Sequence, residues 1–235
     1  GETQLNPFDT HAIEAAMQLR EGGKVQVDEI VAVTMGPEGA FRTLHKAVSL
    51  GADRSIHLTD PALAGSDVCA TGYALAKVLE REQPDLVLLG QQSDDGECYT
   101  VGAVVAEHLK MPSLTQVIAI EVQDGKLICE RQAEYGYDTV EVELPAVISV
   151  GDAINEPRYP SLKAIMGAKK KPLEKLSAAD AGIDPEYVGE KGSRTEVLAI
   201  NPPPQKEAGE IIEDEDTDET VQKIIAWLEE RKLLA

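Results

Sequence analysis

The sequence predicts an α/β fold: a parallel sheet wound with helices, an antiparallel β excursion, and an extended C-terminal arm. Three observations carry this. Between residues 8 and 150 the apolar spacing switches repeatedly between strand and helix periods. Residues 85–90 (DLVLLG) form a continuous apolar run, the mark of a strand buried on both faces of a parallel sheet. Residues 183–212 are rich in Pro, Gly and charge, with Pro202-Pro203-Pro204 among them, and read as an arm rather than packed core.

Taken in order, residues 11–20 (HAIEAAMQLR) have helical spacing and stop at Gly22-Gly23. Residues 29–34 (EIVAVT) are β-rich and end at Gly36-Pro37. Residues 40–50 are helical again and stop at Gly51, and residues 55–58 form a short strand. Ser66-Asp67 can cap a helix over 68–82. After the 85–90 strand, residues 102–109 return to helix. Beyond Pro112 the pattern becomes strand-like over 116–122, 127–132 and 139–144, with an Asp124-Gly125 hairpin turn between the first two. Residues 146–150 add an apolar strand. From Asn155 the chain reads as irregular apart from a short helix over 162–166. An acidic run at 214–219 precedes an amphipathic terminal helix over 221–234. No internal repeat is present.

Composition narrows the function. The 235 residues carry a net charge of −20, and phosphate contacts need clustered Lys and Arg, so nucleic acid is excluded as a partner. The same charge disfavours anionic membrane surfaces, and no apolar run is long enough to span a bilayer. The first residues have neither the basic start nor the apolar stretch of a signal peptide. Cys69, Cys98 and Cys129 lie far apart without a CxxC pair, which indicates neither zinc nor a disulfide framework. Cytoplasm or mitochondrial matrix fits such cysteines. His11, His45, His57 and His108 have no metal-ligand spacing. Nucleophile elbow, P-loop and GxGxxG are all missing, so the chain is expected to bind without catalysing bond chemistry.

One segment stands out: Gln92, Ser93, Asp94, Asp95, Gly96, Glu97, Cys98, Tyr99, Thr100, Val101 and Gly102, between a strand and a helix. It reads either as an ordinary βα connection or as a ligand loop at the carboxyl end of a parallel strand. In the second reading, backbone amides and the helix N-terminus attract an anion. Its three acidic residues favour ribose hydroxyls over phosphate, or else face away. Asn6-Pro7-Phe8-Asp9 reads as a helix cap or as part of the same site. Residues 155–162 (NEPRYPSL) read as a structural connector or as a pre-ordered loop presenting Leu162 to a partner, since two prolines fix φ. Lys169, Lys170 and Lys171 form a local basic patch, either a solvated face or a guide for an acidic partner.

The segments NPFD at 6–9, VTMGP at 33–37, LGADR at 50–54, DLVLLGQQSDDGE at 85–97, ERQAEYGYDTVEVELPAVISV at 130–150 and NEPRYPSLKAIMGAKKK at 155–171 resemble the beta subunit of electron transfer flavoprotein. The resemblance covers nearly the whole chain. It implies a Rossmann-like adenine-nucleotide-binding domain over 1–182 and an arm with terminal helix over 183–235 that packs on a partner. That partner would be the alpha subunit, which carries the redox FAD, while this chain holds a structural AMP. Carried over, Asn6, Pro7, Phe8 and Asp9 line the nucleotide site, Met35 lies beside the adenine, and the 92–102 loop wraps ribose and phosphate. Phe8 also lies near the flavin. Leu162 would anchor acyl-CoA dehydrogenases, with Tyr159 and the lysines beside it. Electrons would pass through FAD to a quinone oxidoreductase, in fatty acid β-oxidation. The family pattern also has a strand and turn upstream of Asn6 that this sequence lacks; it supplies a sheet edge and part of the AMP site. Asp95-Gly96-Glu97 and Val101-Gly102 resemble electron-bifurcating relatives, in which a second FAD replaces AMP and oxidises NADH. A free-standing nucleotide-binding regulatory domain is the third reading.

Overall fold

The computed structural model describes residues 4–205, 209, 211 and 216–234. They form two units, one ending at Glu196 and one beginning at Val197. In the first, helix α1 (Pro7–Gly22) begins with proline, whose missing N–H is harmless in a first turn, and ends at Gly23 in the left-handed region with φ 66°. Strand β1 (Val31–Met35), helix α2 (Phe41–Leu50), strand β2 (Arg54–Leu58), helix α3 (Val68–Glu82), strand β3 (Leu86–Gly90) and helix α4 (Val101–Leu109) follow. Asp67 caps α3 as expected, its side chain accepting from the Ala70 N–H. Four strands come next: β4 (Ser113–Gln123), β5 (Lys126–Ala133), β6 (Gly136–Val142) and β7 (Ala146–Val150). Asp124 and Gly125 both have positive φ, 49° and 79°, as a two-residue hairpin between twisted strands requires.

Two sheets result. One is parallel, in the order β1-β2-β8, where β8 (Leu173–Leu176) was not expected from the sequence. The other has the order β3-β7-β4-β5-β6; β3, β7 and β4 run parallel, and β4, β5 and β6 form the antiparallel excursion. The run at 85–90 is therefore a parallel strand, but it lies at a sheet edge and is only half-buried. The strand buried on both faces is β7, every residue of which is buried. Ala146, Ile148 and Val150 pack with Ala12 of α1, Leu114, Val117 and Leu127, while Val147 faces Val105 and Ala106 of α4. Alternate side chains of β7 thus hold α1 and α4 on opposite faces.

Residues 155–176 are more regular than expected, holding helix α5 (Leu162–Ala168) as well as β8. Residues 183–196, assigned to the arm on composition, pack into the first unit. Ile183 and Val188 join the core of Ile56, Leu58 and Val78. The short helix α6 (Gly189–Gly192) is pinned there, because the Gly189 N–H donates to Ser66 Oγ at 2.8 Å. Asp67 Oδ2 accepts from the backbone N–H groups of Arg194 at 2.7 Å and Thr195 at 3.1 Å. In the second unit helix α7 (Thr217–Glu230) starts earlier than predicted, since Asp216 caps it through the Asp218 N–H. Of the expected arm and acidic run, residues 206–208, 210 and 212–215 lie outside the described residues.

Candidate functional site

The start of α1 crosses the carboxyl end of β3. Gly90 permits the approach: a Cβ there would stand 2.5 Å from Phe8 Cβ, 2.7 Å from Phe8 C and 2.8 Å from Asp9 N. Asp9 Oδ1 accepts from the Gly90 N–H at 2.7 Å. Burial pushes the Asp9 carboxyl above its ordinary range, partly offset by the bonds from Gly90 and Asn6.

Asn6 occupies the cap position of α1 yet its side chain makes no capping bond. Its Nδ2 donates instead to Asp9 Oδ2 at 3.0 Å and to the Gln92 carbonyl at 2.8 Å, tying helix, strand end and loop together. Two side-chain oxygens beside this knot, Asn6 Oδ1 and Gln92 Oε1, are buried without a hydrogen-bond partner. Buried acceptors left unpaired are costly, and they suit a ligand that brings donors. Pro7 and Phe8 complete the turn, Phe8 half-buried against Gly90.

The loop beyond is exposed from Ser93 to Thr100, Asp94, Asp95 and Glu97 included. Its fold is local. Ser93 O accepts from the Glu97 N–H at 2.9 Å, Ser93 Oγ from the Gly96 N–H at 3.3 Å, and Cys98 Sγ donates to Gly96 O at 3.0 Å. Glu97 and Tyr99 have positive φ, 44° and 56°, a conformation uncommon for non-glycine residues. Thr100 begins α4 with no side-chain cap, so the first-turn amides from Val101 and Gly102 remain for another acceptor. A Cβ on Gly102 would touch Leu89 at 3.0 Å, which seats that turn on β3. Met35 ends β1 and packs against the Ile56 core, whereas Asn6–Asp9 meet β3 of the other sheet.

A second face lies on and around α5. Tyr159 is 95% exposed, Leu162 80% and Met166 69%, while Ser161 caps the helix through the Ala164 N–H at 3.1 Å. Ala168 anchors its far end against Val48 and Ala52. Lys169 and Lys170 are exposed, but Lys171 turns back, its Nζ donating to Ala52 O at 2.7 Å. The sequence reading missed what holds this face: Arg158 pairs with Glu14 and Glu21, and Asn155 with His11, all on α1. A signal was present, since Glu14 is a carboxylate set between buried Ala12 and Ala15. Among the described residues no metal-binding cluster occurs, and no helix is long and apolar enough to cross a membrane.

Comparison with known proteins places the chain in a family. Residues 1–181 match the family model of the electron transfer flavoprotein domain. The chain is 42% identical over 229 residues to the electron transfer flavoprotein subunit beta of Mycobacterium leprae, covering 94% of this chain and 85% of that one. It is 37% identical over 222 residues to the Bos taurus subunit beta, covering 94% and 83%. It is 36% identical over 231 residues to the caffeyl-CoA reductase-Etf complex subunit CarD of Acetobacterium woodii, covering 98% and 87%. With the family model spanning most of its length and these relatives nearly all of it, the chain belongs to the electron transfer flavoprotein family, among its beta subunits.

Proposed function

We propose that this chain pairs with an alpha subunit and holds AMP where α1, β3 and the 92–102 loop converge. The observation that carries this is the pair of unpartnered buried oxygens, Asn6 Oδ1 and Gln92 Oε1, beside the uncapped start of α4. An adenylate brings both complements: amine and hydroxyl donors for the oxygens, and a phosphate for the helix amides. Asp9 and Asn6 orient that site from the α1 side, and Phe8 lies on the side toward the flavin. FAD, held mainly by the alpha subunit, supplies the redox chemistry when bound. This chain acts as an electron-carrier subunit without bond chemistry of its own. Leu162, flanked by Tyr159 and the basic Lys169 and Lys170, is the anchor for acyl-CoA dehydrogenases. Electrons leave toward a quinone oxidoreductase.

A second reading rests on the loop residues Asp95-Gly96-Glu97 and Val101-Gly102: a bifurcating subunit with a second FAD in place of AMP. Acid extraction of the purified heterodimer separates the two. One FAD and one AMP support the first reading. Two FAD support the second, and no adenylate at all overturns both. For docking, Leu162→Ala should raise the KM for a reduced acyl-CoA dehydrogenase, and an unchanged KM would refute the anchor.

A further inference from the structure

The helix that bears the nucleotide residues also bears the docking loop. Two residues beyond Asp9, His11 Nδ1 lies 3.0 Å from Asn155 O and 3.2 Å from Asn155 Oδ1. Both are acceptors, so Nδ1 carries its hydrogen. Asn155 Nδ2 returns a bond to His11 O at 3.0 Å. Further along, the Arg158 guanidinium is shared by two carboxylates. Nε and Nη2 donate to Glu14 at 2.6 and 2.9 Å, and Nη1 and Nη2 donate to Glu21 at 2.6 and 2.9 Å. The Arg158 backbone N–H adds a bond to Glu14 at 3.3 Å. Glu14 is only 6% exposed, so this end of the fork is shielded from solvent. Charge-assisted bonds to both edges of a planar guanidinium fix its position and direction. Four residues on, Leu162 stands 80% exposed. Pro157 and Pro160 flank Arg158-Tyr159 and restrict the backbone between the fork and Leu162.

We propose that Arg158 is the positioning residue of the docking face: clamped on α1 by Glu14 and Glu21, it pre-orders the segment that presents Leu162, and it makes α1 the common mount of the docking face and the nucleotide site. This rests on the anchor role proposed above for Leu162. An exposed apolar segment that was free before docking would lose its freedom on binding, and the clamp removes that loss in advance.

The test uses the complete heterodimer, with an acyl-CoA dehydrogenase reduced by its own substrate as electron donor. Four variants are compared: Arg158→Gln, Glu21→Gln, Leu162→Ala, and Arg158→Gln combined with Leu162→Ala. Arg158→Gln should raise the KM for the dehydrogenase about tenfold and Glu21→Gln about threefold, with kcat unchanged. Reduction of the flavin by dithionite, which needs no docking, should not change. In the double variant Arg158→Gln should add nothing to the effect of Leu162→Ala, because it acts through that side chain. If Leu162→Ala raises KM but neither clamp variant does, the mount is refuted and the anchor stands. If Leu162→Ala leaves KM unchanged, the anchor falls and the mount with it. Additive effects in the double variant also refute the mount. Should Arg158→Gln fail to fold, Glu21→Gln, at an exposed glutamate, decides the matter alone.

Discussion

Gly90→Ala is the sharpest perturbation of the proposed nucleotide site. The added Cβ would lie 2.5 Å from Phe8 Cβ and 2.8 Å from Asp9 N, and one of those contacts is backbone that cannot swing aside. The first turn of α1 must lift, and the bond from the Gly90 N–H to Asp9, 2.7 Å long, lengthens with it. Overpacking of this kind costs about 1–3 kcal/mol, and a buried hydrogen bond lost adds about 1 kcal/mol. A total of about 3 kcal/mol corresponds to a fall of about 6–12 °C in Tm for a unit of this size. The displaced helix start also moves Asn6 from Gln92, so adenylate should be lost during gel filtration. The assay is thermal unfolding of the heterodimer at fixed concentration, with nucleotide extraction of the same sample. Gly22→Ala is the control, since nothing lies within 4 Å of a Cβ there. If Gly90→Ala matches wild type in Tm and retains a full complement of nucleotide, the close crossing of α1 over β3 does not organise the site.

Four further outcomes are expected. Ile148→Ala should cost about 2–5 kcal/mol in a denaturant titration, because Ile148 is wholly buried in strand β7, which is covered on both faces. Leu162→Ala should leave Tm unchanged, as its side chain is 80% exposed, which separates any docking defect from unfolding. Cys129, buried and with its thiol pushed up to about 11, should resist alkylation until the protein unfolds, whereas exposed Cys98 should label in the native state and more slowly when adenylate is added. The Arg158 bonds hold the Glu14 carboxyl below its ordinary 4.5. A depressed folded-state value gives stability that is present above 4.5 and lost as pH falls through the lower one. Wild type should therefore lose Tm more steeply below pH 4.5 than Arg158→Gln, and parallel curves would refute the linkage.

These expectations separate what local sequence encodes from what only the fold assembles. Caps, periodicity and turn chemistry act over a few residues, so α1, α3, the Asp124-Gly125 hairpin and β7 were legible: Asp67 caps α3 where its spacing says it should. A continuous apolar run states that a strand is apolar, not where it sits in the sheet. Residues 85–90 therefore read as a strand buried on both faces, although β3 is a half-buried edge and β7 is the strand covered on both faces. The strand β8 escaped for a related reason. Leu173-Glu174-Lys175-Leu176 has little β character of its own and pairs because β2 offers it a parallel edge.

The site divides along the same line. Asn6-Pro7-Phe8-Asp9 could be singled out, yet a helix cap and a ligand residue look alike in one dimension. The structure shows that the Asn6 side chain makes no cap bond and that its Nδ2 reaches the Gln92 carbonyl, 86 positions away, a contact no local pattern states. The Arg158 clamp spans 144 positions to Glu14, and no local rule couples residues so distant. Both long-range knots close on one helix. The sequence singled out both proposed sites, and the fold ties each of them to α1. A substitution within α1 that preserves its helicity but rotates its polar face should for that reason disturb nucleotide retention and dehydrogenase docking together, where a change at either site disturbs only one.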